Sequence, residues 1–192
     1  MNTVYQLKAI PEKFMALQLD IVQLAEQLGD IALIDTLMQF PATNESLKSI
    51  WNDSVSDNFQ PLSKTSSEIP DVSLWDAASL VLNQKAYDSL NRYLESEGEF
   101  LPITCNGEKM YIFNCQSFGE EDKAHTVKKY VNGTDMGLEY LEFNSDDVAK
   151  RFIFKSKLKG VNTLYCTTSF KALCKEFKLE GLRFDEDLVS PF

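Results

Sequence analysis

Histidine and arginine are nearly missing from this chain. His125 is its single histidine, and of 19 lysines and arginines only Arg92, Arg151 and Arg183 are arginine. The first scarcity removes the commonest general base. A Ser–His–Asp or Cys–His arrangement would have to use His125, which lies in EDKAHTVKK beside like-signed lysines, with no GxSxG or comparable nucleophile context in the chain. His125 reads as a polar strand or loop residue. The second scarcity removes the forked donor suited to two-point phosphate recognition. The eight glycines are single and dispersed, so neither a GxGxxG nor a GxxxxGKS/T phosphate loop is present. CxxC spacing is also absent. Cys105 and Cys115 are ten residues apart, and Cys166 and Cys174 eight, whereas structural zinc uses closely spaced ligands. No metal or other cofactor is expected. The start, MNTVYQLKAIPEKF, has no basic region leading into an apolar one. No apolar run approaches the ~18 residues of a membrane span. Segment 14–40 is greasy, but Asp20, Glu26, Asp30 and Asp35 interrupt it. The expectation is a soluble, cytoplasmic protein that does not engage a membrane, with reduced and buried thiols.

What the chain has is acid. The 29 Asp and Glu leave a net charge of −10, which repels phosphate backbones and disfavours nucleic acid as a partner. The same charge steers basic protein partners toward the surface. At 192 residues, 44% hydrophobic and 25% charged, the chain can build a full core. Residues 41–71 hold seven serines and three prolines around Trp51. They read as an irregular segment pinned by that tryptophan, or as a boundary between an N-terminal part, 1–70, and a second part, 71–192. One compact domain with the first part packed on the second is the expected arrangement. Both parts carry −5, but the second is more charge-dense.

Residues 3–10 and 13–20 each read as a short strand about a turn at Pro11-Glu12. The competing helical face of Leu17, Ile21, Leu24 and Leu28 is expected to own 21–28, with Gly29 as C-cap. Asn83 is a good N-cap, and Leu82 and Tyr87 stand at hydrophobic-staple spacing. Tyr87, Leu90 and Leu94 form a stripe that Gly98 is expected to end. EFLPITC and KMYIFNC then flank Asn106-Gly107, a strong hairpin signal, because a type I′ turn needs positive φ at both central residues. That turn would set Cys105 opposite Glu108 and Cys115 beside Gly98, too far apart for a disulfide. Pro102 cannot donate to a ladder, so its strand should be an edge there, be bulged, or bond on its other side. A second Asn-Gly, 132–133, suggests another hairpin with a longer loop. Short strands are expected at 152–154, 163–166 and 182–184. Thr167 or Thr168 should cap a helix with Phe170, Leu173, Cys174 and Phe177 on one face. The fold class is α+β, mainly antiparallel sheet, with helices at 83–96 and 168–178 packed on it and a third near 20–28.

Two acidic clusters stand out, Glu120-Glu121-Asp122 and Asp185-Glu186-Asp187. Paired carboxylates can do acid–base work or hold a cation, but on loops they are most simply solvated charge. Their sharper reading is a docking patch for a basic partner. The alternating Lys155, Lys157 and Lys159 are expected to decorate one exposed face of an extended stretch.

Three blocks in order carry a resemblance. They are PDVSLWDAASLVLNQKAYDSLNRYL, with its capped helix; GEFLPITCNGEKMYIFN, with Glu99, Leu101, Pro102, Tyr111 and Asn114; and RFIFKSKLKGVNTLYCTTSFKALCKEFKLEGLRF, with a strand-to-helix cap at Thr167 and a closing Leu-x-Gly-Leu-x-Phe. Residues 71–184 resemble immunity protein family eleven of bacterial polymorphic toxin systems; 1–70 match only loosely, and the family's aromatic closing segment is replaced by DEDLVSPF. The resemblance implies a non-catalytic protein that binds and neutralises a cognate secreted toxin, protecting the producing cell. An acidic inhibitor suits a basic toxin such as a nuclease. The alternatives are a non-catalytic adaptor of a secretion system and a small carboxylate-dependent enzyme. Simultaneous alanine substitution at Glu120, Glu121 and Asp122 separates the last from the first two.

Overall fold

In the computed structural model, residues 3–76 and 78–191 are described. Met1 and Asn2 of the start, Ala77 in the first resemblance block and Phe192 of the closing segment lie outside them. In chain order the elements are β1 (Val4–Lys8), β2 (Ala16–Leu17), α1 (Ile21–Leu28), α2 (Ile34–Thr43), β3 (Ser56–Asp57), β4 (Phe59–Gln60), β5 (Val72–Trp75), β6 (Ser79–Leu82), α3 (Gln84–Leu94), β7 (Gly98–Cys105) and β8 (Glu108–Cys115). There follow β9 (Val127–Val131), β10 (Thr134–Tyr140), α4 (Ser145–Val148), β11 (Ile153–Ser156), β12 (Gly160–Thr167), α5 (Thr168–Glu176) and β13 (Arg183–Asp185). The fold is α+β and mainly antiparallel, as the turn and alternation signals predict.

Of the two main sheets one has the order β3-β7-β8-β6-β5 and the other β11-β12-β1-β13, while β9–β10 and β2–β4 are separate two-stranded sheets. Alternation along each strand sends successive side chains to opposite faces, so each main sheet serves two cores. Leu80, Leu82, Phe113 and Cys115 join Tyr5, Leu7, Ile153, Leu164 and Cys166 in the core shared by the two sheets with α3 and α5. Val81, Ile112, Leu101 and Ile103 point the other way, onto α1, α2 and the 47–59 segment. Phe154 and Tyr165, on the outer face of the second sheet, meet Leu141, Phe143 and Val148 in a third, smaller core. Burial on both faces explains why β6 reads Ser-Leu-Val-Leu with no polar alternation.

Local chemistry accounts for the element ends. Asp20 accepts from the Gln23 amide and Gly29 closes α1 at φ 83°. Asn83 caps α3 by accepting from the Ala86 amide. Asn106 and Gly107 sit at φ 51° and 81°, and the β7–β8 register runs from Gly98 opposite Cys115 to Cys105 opposite Glu108. At Pro102 β7 is an edge: β3 pairs only with Thr104 and Cys105, and the Pro102 carbonyl accepts from Trp51 Nε1 at 2.7 Å. Trp51 does pin its segment, through that bond.

Five expectations need correction. Gly98 does not end a helix; it opens β7, where a Cβ would sit 2.1 Å from the Asn114 carbonyl oxygen. The 13–20 strand shrinks to Ala16–Leu17, paired with Phe59–Gln60, because Lys13 and Phe14 fold back on Ile10. A second N-terminal helix, α2, occupies 34–43 and carries Pro41 in its last turn. The 132–133 hairpin has a two-residue turn, with Val131 directly opposite Thr134. Finally, the lysines at 155, 157 and 159 share no exposed face. Lys155 is fully buried, while Lys157 and Lys159 lie in the β11–β12 turn. Lys155 Nζ donates to the Pro41 carbonyl and to Asn44 Oδ1 at 2.5 Å, closing the C-terminal end of α2. Burial lowers its pKa to about 8.

Candidate partner-binding surface

Each acidic cluster divides into carboxylates that hold the chain and one that does not. Glu121 Oε1 accepts from Ser156 Oγ and from the Lys157 and Leu158 amides at 2.7–3.0 Å, fixing the β11–β12 turn. Asp122 accepts from the Ala124 amide and faces His125 Nδ1 at 2.7 Å. That contact lowers the Asp122 pKa and raises that of His125. Asp185 pairs with Lys8 at 2.8 Å, a bond that lowers its pKa. Asp187 Oδ1 accepts from the Val189 and Ser190 amides. Only the carboxylates of Glu120 and Glu186 have no hydrogen-bond or ion-pair partner among the described residues of the two triplets, and both residues are exposed.

The first triplet lines one cleft and Glu186 and Asp187 of the second line another, and the two clefts meet at Ser145. The first, about 860 Å³, takes Glu120, Glu121 and Asp122 together with Asp147 and the cations Lys123, Arg151 and Lys157. Arg151 grips Asp147 through Nε and a terminal nitrogen at 2.8 and 2.7 Å and reaches Ser117 Oγ with the other. This bidentate pair holds the Asp147 pKa low. Acid and base nearly cancel in that cleft.

The second cleft, about 770 Å³, has a different balance. Glu186 and Asp187 are joined there by Glu139 and Glu142, and among the described residues no lysine or arginine lines it. Its floor is the edge of the third core, including Leu141, Phe143 and Val148. Glu139 and Glu142 escaped the sequence reading because they sit singly among apolar residues, more than forty positions from Glu186. Glu139 lies in β10 and Glu142 two residues past its end, just before Asn144 caps α4 by accepting from the Asp146 amide.

The reactive groups are placed otherwise. All four cysteines are free and buried. Burial pushes the thiols of Cys105, Cys115 and Cys174 up to about 12 and that of Cys166 well above its ordinary value, so at neutral pH they are protonated. The His125 ring is 71% exposed, and Asp122 is its hydrogen-bonded partner. Among the described residues no group of three or more His, Cys, Asp or Glu is arranged to hold a metal ion, and no helix is long and apolar enough to cross a membrane. No protein-family model matches the chain, and no curated protein shows significant similarity to it.

Proposed function

We propose that this chain is a non-catalytic binding protein that neutralises a basic cognate toxin. The observation that carries the reading is the second cleft, four carboxylates over an apolar floor with no lysine or arginine among its described lining residues. The motif resemblance supplies the biological setting. A protective inhibitor must hold its target when the target is scarce, which calls for nanomolar affinity, about −12 kcal/mol. Complementary charge raises the rate of encounter and suppresses like-charged competitors, an effect that weakens with added salt.

The test is co-expression with the product of the adjacent reading frame. The expected result is that cells expressing the neighbour alone stop growing and that this chain restores growth. Direct binding should follow, with an association rate that falls as ionic strength rises. An adjacent product that is acidic and harmless, or growth arrest unrelieved by this chain, would sink the proposal. Binding without any growth arrest would favour an adaptor role instead.

A further inference from the structure

The second cleft does not end at Glu139. A further cleft of about 520 Å³ shares Glu139, Asp187 and Val189 with it and continues past Met136 and Pro191. Together they form one groove, walled on one side by β10 and its continuation, 136–143, and on the other by the C-terminal segment 186–191. Eight extended residues span roughly 25 Å at about 3.3 Å each, which suits a peptide segment better than a compact small molecule.

The groove is polarised. Toward Phe143 it presents Glu139, Glu142, Glu186 and Asp187, with no lysine or arginine among its described lining residues. Toward Met136 it presents Leu138, Leu158 and Pro191 with Lys129 and Lys159. Lys159 is already engaged, its Nζ donating to the Val189 carbonyl at 2.7 Å. Independently of the acid, the β9–β10 hairpin that forms one wall is the most apolar exposed feature of the fold. Five large hydrophobic residues, Val127, Tyr130, Val131, Met136 and Tyr140, are each about half exposed within fourteen positions. The hairpin belongs to neither main sheet. An isolated two-stranded ribbon is marginal in water; of the five residues Met136 and Tyr140 line the groove, and exposed apolar surface of this kind marks an interaction site.

We infer that this groove is the docking surface for an extended cationic segment of a partner protein, with arginine or lysine heads against Glu139, Glu142 and Glu186 and apolar neighbours against Met136, Leu138 and Tyr140 of the hairpin. The inference rests on the binding-protein reading and adds the surface and the form of the partner. Apolar stems under charged heads match long basic side chains, which bury their methylenes while the head stays wet. Two register shifts interrupt the β9–β10 ladder, at Asp135/Leu138 and Leu138/Tyr140. Recognition therefore works through side chains and not through a continuous added strand.

The probe is a fluorescein-labelled octapeptide of alternating arginine and valine, followed by anisotropy against the full chain. The expected result is saturable one-to-one binding that the Glu142→Gln/Glu186→Gln double variant weakens at least tenfold. Glu26→Gln/Glu108→Gln, which removes the same charge from exposed positions remote from the groove in sequence, should change it less than twofold. Equal loss in both double variants would reduce the effect to net charge and overturn the inference. So would spermine binding as tightly as the peptide, since it offers charge without apolar side chains, or a sedimenting dimer that the peptide dissociates, since the groove would then be filled by a second copy. Thermal melts of both variants must match the parent; if the groove variant melts early, Glu186→Gln alone is used, an exposed carboxylate with no structural duty. Growth protection retained by a variant that no longer binds peptide overturns the groove while leaving neutralisation standing. Failure of every form of the chain to protect, with peptide binding intact, removes the neutralising role and leaves the groove.

Discussion

The two hairpins of this chain begin from the same instruction and end in opposite places. Asn106-Gly107 and Asn132-Gly133 adopt the same backbone, φ 51° then 81°, and each closes a two-residue turn. Yet β7–β8 is sealed between two cores, while nearly every residue of β9–β10 is exposed. Turn chemistry decides that a hairpin forms; the flanking side chains decide what it is for. In EFLPITC and KMYIFNC both faces carry large apolar groups, and both are covered. In VKKYV and TDMGLEY lysines, acids and aromatics mix on each face, and no other strand pairs with either edge. The buried hairpin holds the protein together, and the exposed one is available to others.

The largest effect expected from this contrast comes from removing one aromatic ring on each. Phe113→Ala opens a cavity where the ring is fully buried against Phe100 and should cost about 3–5 kcal/mol. Tyr130→Ala on the exposed hairpin should stay within about 0.5 kcal/mol. Urea denaturation read by tryptophan fluorescence measures both, and equal costs would end the contrast.

Alkaline pH separates them next. A thiol pKa raised from 9 to about 12, as at Cys105 and Cys115, means that the folded state holds a proton the unfolded state has released. Stability is then fully present below pH 9 and lost as pH climbs toward 12. Lys155 works in the opposite sense. Its folded pKa of about 8 lies below its ordinary 10.5, so stability rises between those values, where the unfolded chain holds a proton that the folded one has released. The two together place the maximum near pH 9. Cys115→Ala should make the loss above pH 9 shallower by about 1.4 kcal/mol per pH unit, one proton's worth. An unchanged slope would show that the buried hairpin does not carry this titration.

A smaller effect comes from the turns themselves. Alanine at either glycine is forced into the left-handed region at about 1–2 kcal/mol. Gly107→Ala should lower global stability by that amount. Gly133→Ala should leave the unfolding midpoint in place and only speed amide exchange in β9 and β10, because that hairpin opens alone. The least effect belongs to the exposed pair Lys128–Asp135, 2.9 Å apart across the second hairpin. Asp135→Asn should leave the denaturation midpoint unmoved at any salt concentration.

The hairpins also mark how far the sequence could be read. The reading holds at many local contacts: the register of β7–β8, the Asn83 cap, the Gly29 stop, and the final helix with Phe170, Leu173 and Cys174 buried; it misses two others, the fold-back of Lys13 and Phe14 on Ile10 and the tightness of the 132–133 turn. It fails where the deciding partner is distant. Helix α2 hides in the greasy stretch before Pro41, which Asp30 and Asp35 interrupt, and its end is closed by Lys155, 114 positions after Pro41. Lys155 looks solvent-facing in a run of alternating lysines, until α2 supplies its acceptors. Gly98 follows a helical stripe as a terminator would, but its missing Cβ answers to Asn114 across the sheet. Of the groove, the sequence shows Glu186 and Asp187 and conceals Glu139 and Glu142, because its two walls meet only after the chain has folded.

Strand β1 carries a consequence for how the protein is made. It lies between β12 and β13, with Val4 opposite Thr167 and Leu7 opposite Phe184. A ribosome adding about 5–20 residues per second needs roughly 8–30 s to travel that far. Throughout that interval Tyr5 and Leu7 have no strand to join, whereas β5 to β8 can assemble among themselves. Strand β1 is thus used long after it is made, and a chain whose synthesis stalls short of β12 leaves it stranded, a form that quality-control proteases can recognise.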